Sequence, residues 1–444
     1  MNKRESRIYL TKRFFLSLLL IVSVFVLSYS FSWMYFAARL ALLVMLVLTL
    51  TDIVWLFFPG GKLDIQRTLP ARFSLGDDNP VLVTIRSTFP AKLNFGIIEE
   101  LPPQFQKRDF WVSGQLSAGE SYQLDYLLKP LTRGEYKFGN TNVYISGMLG
   151  LVQRRIKGSR PESVAVYPSF ISMRKFELMA ISNRLEDVGV KRIRKVGQHS
   201  EFDQIREYVP GDDSRTINWK ATARRAALMV NQYQDERSQQ VISLIDMGRV
   251  MEIPFNGMTL LDYAINASLI ISNTAMYKHD RAGLLTFSNQ IHSFIHPDRK
   301  GGHLQRILEV LYNQQTDFCE PSYEKLYATV SAKIKQRSLL ILYTNFEGIP
   351  SLKRQLPYLK RLAGRHLLLV VFFENTEVLQ MADSRSHNLE EVYIHSMARK
   401  FVHDKKRMVR ELKRAGIMAL LTAPESLSVN LINKYLEIKA REMI

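Results

Sequence analysis

Residues 197–225 read Gly197-Gln198-His199-Ser200-Glu201-Phe202-Asp203-Gln204-Ile205-Arg206-Glu207-Tyr208-Val209-Pro210-Gly211-Asp212-Asp213-Ser214-Arg215-Thr216-Ile217-Asn218-Trp219-Lys220-Ala221-Thr222-Ala223-Arg224-Arg225. Charged, aromatic and turn-forming side chains are denser here than elsewhere in the chain, and the stretch separates a β-patterned half from an α/β-patterned half. Pro210 fixes φ, Gly211 admits a positive φ, and Asp212 or Asp213 can accept from nearby backbone amides, so 209–212 is a turn. Asp213 or Ser214 reads as the N-cap of a helix with Ile217, Ala221 and Arg224 or Arg225 at helical spacing and Trp219 on another side. Arg206, Arg215, Lys220, Arg224 and Arg225 face Glu201, Glu207, Asp212 and Asp213, a set suited to Arg–carboxylate pairs that clasp the segment onto the following domain. No nucleophile stands beside a base.

C-terminal to the clasp, strand and helix patterns alternate. Apolar strands are expected at 240–246, 281–287, 291–296, 338–344, 366–373 and 417–421, and amphipathic helices at 259–278, 303–312, 323–336, 352–362, 396–415 and 424–440. That order implies a mostly parallel, doubly wound sheet with helices on both faces. N-terminal to the clasp, 172–196 is a basic-apolar connector, and 61–169 holds short β-type runs at 62–69, 81–88, 94–101, 122–128, 136–138, 142–145, 151–156 and 164–167. Turn signals such as Gly76-Asp77-Asp78-Asn79-Pro80 separate them, the pattern of an immunoglobulin-like β-sandwich. Phe105, Phe110 and Trp111, beside the Pro102-Pro103 turn, read as core residues next to a loop.

The first 60 residues read as a transmembrane hairpin: apolar runs at 14–31 and 40–58 around a short loop holding Arg39. Lys3, Arg4, Arg7, Lys12 and Arg13 precede the first run, and Lys62, Arg67 and Arg72 follow the second, which places both ends in the cytoplasm. Asp52, near the cytoplasmic end of the second run, is expected to snorkel or pair with a basic neighbour. The expected organisation is a hairpin (1–60), a β-sandwich (61–170), a connector with the clasp (171–237) and an α/β domain (238–444), with the soluble parts cytoplasmic.

The net charge of +18 lies in blocks before the first apolar run, at 191–195 and along 399–414, where Met397, Phe401, Met408, Val409 and Leu412 form a stripe and Lys400, Lys405, Lys406, Arg407, Arg410, Lys413 and Arg414 lie elsewhere. Nearness to an anionic leaflet accounts for such a balance without specific nucleic-acid binding. The single cysteine, Cys319, excludes an internal disulfide and fits a reducing compartment.

The run Glu-Phe-x-x-Ile-Arg-Glu-Tyr-x-Pro-Gly-Asp-Asp-x-Arg-x-Ile-Asn-Trp-Lys-Ala-x-Ala-Arg, followed by Gln232 and Glu236-Arg237, resembles the signature of the domain-of-unknown-function 58 family. The resemblance implies a membrane anchor, a β-rich domain and a von Willebrand factor A-like domain. It also implies a partner, a MoxR-type AAA+ ATPase, in the assembly or remodelling of protein complexes.

In open α/β sheets ligands bind beyond the carboxyl ends of the strands. Von Willebrand A-like domains commonly hold a divalent cation there with Asp-x-Ser-x-Ser, a Thr and a second Asp. The matching positions are Asp246, Gly248 and Val250, with Asn345 at the second acid, so the site is degenerate; no cofactor is expected, and Mg²⁺ is the one candidate. Arg249 is a candidate partner for Asp246. His292, His296 and His303 lack metal-ligand spacing. The leading reading is a membrane-anchored, non-enzymatic scaffold. Its partner-binding rim comprises Asp246, Arg249, Asn345 and Glu347, and its clasp Glu201, Arg206, Tyr208, Pro210, Gly211, Asp212, Asp213, Arg215, Trp219, Lys220 and Arg224. The alternatives are a metal-assisted hydrolase using Asp246 or Asp212/Asp213, and a binder of anionic lipid or nucleic acid.

Overall fold

The computed structural model describes all residues except 1–6, 58–60, 108, 148, 182–199, 211, 236–237, 384–388, 442 and 444. The connector's basic block at 191–195 therefore lies outside the described residues, as does Gly211. The chain divides into two compact units, Met1–Tyr167 and Pro168–Ile444.

The first unit runs β1 (Arg7–Leu10), α1 (Lys12–Leu27), α2 (Ser32–Leu56), β2 (Leu63–Thr68), β3 (Arg72–Ser74), β4 (Asn79–Ser87), β5 (Leu93–Glu99), β6 (Trp111–Leu116), β7 (Ser121–Leu128), β8 (Gly134–Phe138), β9 (Thr141–Ser146), β10 (Val152–Lys157) and β11 (Glu162–Tyr167). Among the described residues one helix, Trp33–Leu56, is long and apolar enough to cross a membrane. The preceding helix has 16 residues, about 24 Å at the α-helical rise; it starts two residues before the expected apolar run and ends four before it does, because Thr11 accepts from the Phe14 amide as its N-cap. Phe15, Leu16, Leu19 and Val26 on α1 and Phe36, Leu40, Leu43 and Val54 on α2 are exposed.

The strands form sheets in the orders β1-β10-β9-β5-β6, β2-β4-β7 and β3-β11-β8. Alternation places Ile65, Val83, Ile85, Phe95, Ile97, Val143 and Ile145 inside, and Leu56 from the end of α2 is fully buried in the same core. The helical pair and the β domain are therefore one body. Three short strands escape the sequence pattern, β1, β3 and β6. Trp111 is exposed rather than core: it lies across the cross-strand neighbour Gly96, where an added Cβ would come within 2.3 Å of the indole.

The basic N-terminal stretch contains β1, which pairs antiparallel with β10. Asp52 does not snorkel, and it meets no cation among the described residues. It is buried, and one carboxylate oxygen accepts from the Leu151 and Val152 amides, each at 3.0 Å. Thr11 adds a hydroxyl bond to the Gly150 carbonyl at 2.7 Å, and Arg154 donates to the Leu56 carbonyl at 2.8 Å while lying over the Phe57 ring. Gly147 is required at this contact, since a Cβ there would fall 2.5 Å from Asp52 Oδ1. A hydrogen bond to a charged acceptor contributes about 1.5–3 kcal/mol. Asp52→Leu is therefore expected to speed hydrogen exchange at the Leu151 and Val152 amides by roughly tenfold or more; unchanged protection would show that the turn holds without this carboxylate.

The second unit begins with α3 (Phe170–Ile181). A two-stranded antiparallel ribbon, β12 (Ser200–Glu207) and β13 (Met229–Asp235), then flanks α4 (Trp219–Arg225). The α/β part comprises β14 (Gln240–Asp246), β15 (Pro254–Phe255), β16 (Met258–Thr259), α5 (Leu260–Tyr277), β17 (Arg281–Phe287), β18 (Ile291–Asp298), α6 (His303–Tyr312), α7 (Tyr323–Lys333), β19 (Leu339–Tyr343), α8 (Ile349–Ala363), β20 (Leu367–Phe373), α9 (Thr376–Asp383), α10 (Leu389–Arg414), β21 (Met418–Thr422) and α11 (Leu427–Ala440). The six-stranded sheet has the order β18-β17-β14-β19-β20-β21, parallel except at the β18 edge. On one face α5 packs on β14 and β17, with α11 against α5; on the other, α7, α8 and α10 cover Ile242, Leu244, Leu340, Leu342, Val370 and Phe372. Thr259 and Asp262 close a capping box at the start of α5. The parallel strands lie within a residue or so of the expected runs because, buried on both sides, they are almost continuously apolar. The sequence pattern does not announce the β12–β13 ribbon, the short β15–β16 pair, α3 or α9.

Candidate functional site

Each parallel strand delivers its last residue to one rim. Asp246, the end of β14, is 0% exposed. Its Oδ1 accepts from the Gly248 amide at 2.8 Å, and its Oδ2 from the Thr344 hydroxyl at 2.6 Å, across the β14–β19 pair. Thr344 Oγ1 also lies 2.7 Å from the Tyr323 hydroxyl at the start of α7. Burial pushes the Asp246 carboxyl up, hydrogen bonds from Thr344, Gly248 and Tyr323 pull it back, and the nearby Asp317 adds to the rise, leaving it at about 6.

Arg249 does not pair with Asp246. It reaches Glu347 at 2.7 Å instead, with both side chains well exposed. Asp246 already has its donors, and the turn after β14 carries residue 249 outward to solvent. Beside this pair is a cavity of about 300 Å³ lined in part by Arg249, Cys319, Asn345, Glu347 and Arg354. Arg354 bonds Glu320 at 2.7 Å. Phe318, also in the lining, is 63% exposed and held at φ +56°, a left-handed conformation uncommon for a bulky residue.

Asn345 accepts a short hydrogen bond from Lys405, whose ammonium also donates to the Phe346 carbonyl at 2.9 Å. Lys405 is only 4% exposed and has no carboxylate partner among the described residues, and burial lowers its pKa to about 8. The sequence pattern set Lys405 among the solvent-facing cations of α10, whereas it falls on the buried stripe with Met408 and Leu412. The missed signal was its spacing, four residues after Phe401 and three before Met408.

The three histidines do not converge. His292 Nε2 lies 2.7 Å from Ser288 Oγ and 3.4 Å from Asp317, His296 stands edge-on to Phe294, and His303 bonds the Ala282 carbonyl. No group of three His, Cys, Asp or Glu side chains able to hold a metal occurs among the described residues.

The clasp is the loop-and-helix tip of the β12–β13 ribbon. Arg206 bonds Asp212 at 2.6 Å, and Asp212 also accepts from the Val209 amide; Arg206 above all holds the Asp212 carboxyl below its usual range. Asp213 caps only the short turn 214–216, and the N-cap of α4 is Asn218, which accepts from the Ala221 amide at 3.0 Å and donates to Asn231 at 2.8 Å. The helix therefore starts later than expected, because Asn218 also pairs through its backbone with Met229 of β13. Tyr208 donates its amide to Leu228, and Pro210 is exposed. Arg215, Lys220, Arg224 and Arg225 make no ion pair among the described residues, and Trp219 is 70% exposed. Among the described residues of 205–231, the hydrogen bonds close within the ribbon and its tip. The Glu201 side chain, like Gly211, lies outside the described residues.

Because Asp246 is more readily protonated when folded, its stabilising contribution is complete below its ordinary value of 3.8 and is lost as pH rises through about 6. Measured by denaturant unfolding, the wild type is expected to lose stability relative to Asp246→Asn across that window, by on the order of 3 kcal/mol. Thr344→Val, which removes one hydrogen bond to the buried carboxylate, is expected to cost about 1.5–3 kcal/mol at pH 7. Parallel pH curves for wild type and Asp246→Asn would show that Asp246 does not titrate in this window.

A model of the family described as "Protein of unknown function DUF58" matches residues 204–411. The chain is 28% identical over 179 residues to the uncharacterized protein YeaD of Bacillus subtilis (strain 168), and the alignment covers 38% of this chain and 44% of that one. Among solved structures, the conserved hypothetical protein BatB from Bacteroides thetaiotaomicron covers 46% of this chain and all of its own, at 10% identity and a TM-score of 0.31. A CARDB domain from Pyrococcus furiosus covers 25% of this chain and 97% of its own, at 11% identity and a TM-score of 0.18. The match at 204–411, which runs from the β12–β13 ribbon into α10, is to the DUF58 family.

Proposed function

We propose that this chain is a membrane-anchored, non-enzymatic scaffold that binds a protein partner at the rim formed by Arg249, Phe318, Asn345 and Glu347. The observation that carries this reading is the closed state of Asp246: buried, and bonded on both oxygens by the chain's own donors. A Mg²⁺ ion takes a near-octahedral oxygen shell. Gly248 and Val250 offer no side-chain oxygen, and the Asn345 oxygen is taken by the Lys405 ammonium. A rim of this kind favours contact with a protein over ion coordination or hydrolysis. Asp212 and Asp213 support the same view, since one is held by Arg206 and the other caps a turn, with no shared reaction centre.

The partner is a MoxR-type AAA+ ATPase, the class that the family resemblance implies. An exposed aromatic lining the same cavity as two Arg–carboxylate pairs is the composition of an interface anchor. The helical pair α1 and α2 supplies the membrane hairpin, with its exposed apolar side chains facing lipid and its basic flanks in the cytoplasm.

Two measurements test the reading. A purified MoxR-type ATPase from the same organism is expected to bind the detergent-solubilised chain, and Phe318→Ala or Arg249→Glu to weaken binding by about tenfold, roughly 1.4 kcal/mol; undiminished binding by both variants would remove the rim from the interface. The single, partly exposed Cys319 reports the side of the membrane. A membrane-impermeant maleimide added to spheroplasts is expected to label it only after permeabilisation, and labelling of intact spheroplasts would reverse the orientation.

A further inference from the structure

The ribbon tip carries a second contact surface, separate in sequence from the rim. β12 and β13 are paired as far as Glu207 and Met229, and the residues between them, α4 included, form the tip. A packed segment of this size ordinarily turns its largest apolar group inward, yet Trp219 is 70% exposed, as are Val209 at 56% and Leu228 at 46%. The fold does not use them: the tip is held by Asn218 on Ala221 and Asn231, by Thr222 accepting from the Met229 amide, and by Asp212 on Arg206. The charges are similarly unspent. Asp212 is neutralised by Arg206, so Arg215, Lys220, Arg224 and Arg225, all exposed and without ion pairs among the described residues, stand against the two carboxylates of Glu207 and Asp213. Lys220 and Arg224 are four apart on α4 and share one side of it.

From this we infer that the tip around Trp219 docks an acidic, partly apolar segment of another protein. Exposed Trp with surrounding Arg is the composition that dominates protein interfaces, and the excess of four cations over two carboxylates sets the sign of the partner. A second copy of this chain is a poor occupant, because the whole chain carries a net charge of +18. A nucleic acid or an anionic bilayer would also be drawn to the cations. Either would meet the carboxylates of Glu207 and Asp213, both exposed on the same tip, and a phosphodiester strand would leave Val209 and Leu228 without an apolar counterpart. A protein segment alternating acidic and apolar side chains satisfies both sets.

The test uses the full chain in its native membranes, with the exposed Ala223 replaced by the photo-crosslinking residue p-benzoylphenylalanine. After illumination, the expected adduct joins another protein through a peptide of net negative charge. Its yield is expected to fall about tenfold or more in Trp219→Ala, and likewise in the triple variant Arg215→Glu, Arg224→Glu, Arg225→Glu. Raising the salt from about 0.15 M to about 1 M, which shortens the screening length from roughly 8 Å to 3 Å, is expected to lower it as well. Both variants should keep the wild-type melting temperature, since the altered side chains are exposed. Phe318→Ala at the rim should leave the adduct intact, which separates failure here from failure of the rim reading. An adduct to RNA, to lipid or to a second copy of this chain would overturn the inference. So would a basic target peptide, the absence of any adduct, equal yields in wild type and Trp219→Ala, or loss of the adduct in Phe318→Ala.

Discussion

A carboxylate at the buried end of a parallel strand must find donors or remain protonated, and the way Asp246 meets that requirement shapes the whole rim. Thr344 is placed to serve it because β19 pairs directly with β14, so the ends of the two strands lie side by side. Gly248 serves it through a backbone amide that a tight turn brings back onto the carboxylate. An added Cβ at Gly248 would meet Pro321, the Cys319 carbonyl and Asp246 itself within 3.0 Å. Once Asp246 is closed inward, Arg249 and Glu347 are left to pair with each other at the surface. The polarity of the cavity is thus set by neighbours of the strand ends rather than by the strand ends themselves.

Lys405 answers a related problem at the next position. An amide at 345 cannot carry a negative charge, so the ammonium that meets it gains no ion pair and is held by two neutral oxygens. Burial without a counter-charge lowers its basicity. The same place therefore combines an acid that is hard to ionise with a base that is hard to protonate, in keeping with an interior that tolerates polar groups only when their hydrogen bonds are met.

Most of the α/β framework was legible in the sequence because its strands are buried on both faces and leave unbroken apolar runs: 240–246 and 281–287 were read to the residue. The N-terminal β1 was hidden by its basic surroundings, and pairs with β10 through backbone groups that no side-chain pattern records. β12 and β13 were hidden because a two-stranded ribbon has too little interior to impose alternation. At the candidate site the types of residue were legible but their pairings were not. Arg249 and Glu347 were both singled out, yet their bond depends on a separation of 98 positions closed only by the sheet. Lys405 was passed over because a basic residue on an amphipathic helix ordinarily faces water.

In the N-terminal unit, the last turn of α2 and the start of β10 share a carboxylate, an arginine–carbonyl bond and the buried Leu56. The β domain is thereby coupled to the helix as a lever is to its axle, with no slack cord between them. Any tilt or rotation imposed on α2 must be followed by the sheets, so the domain inherits the helix's heading instead of swinging about it.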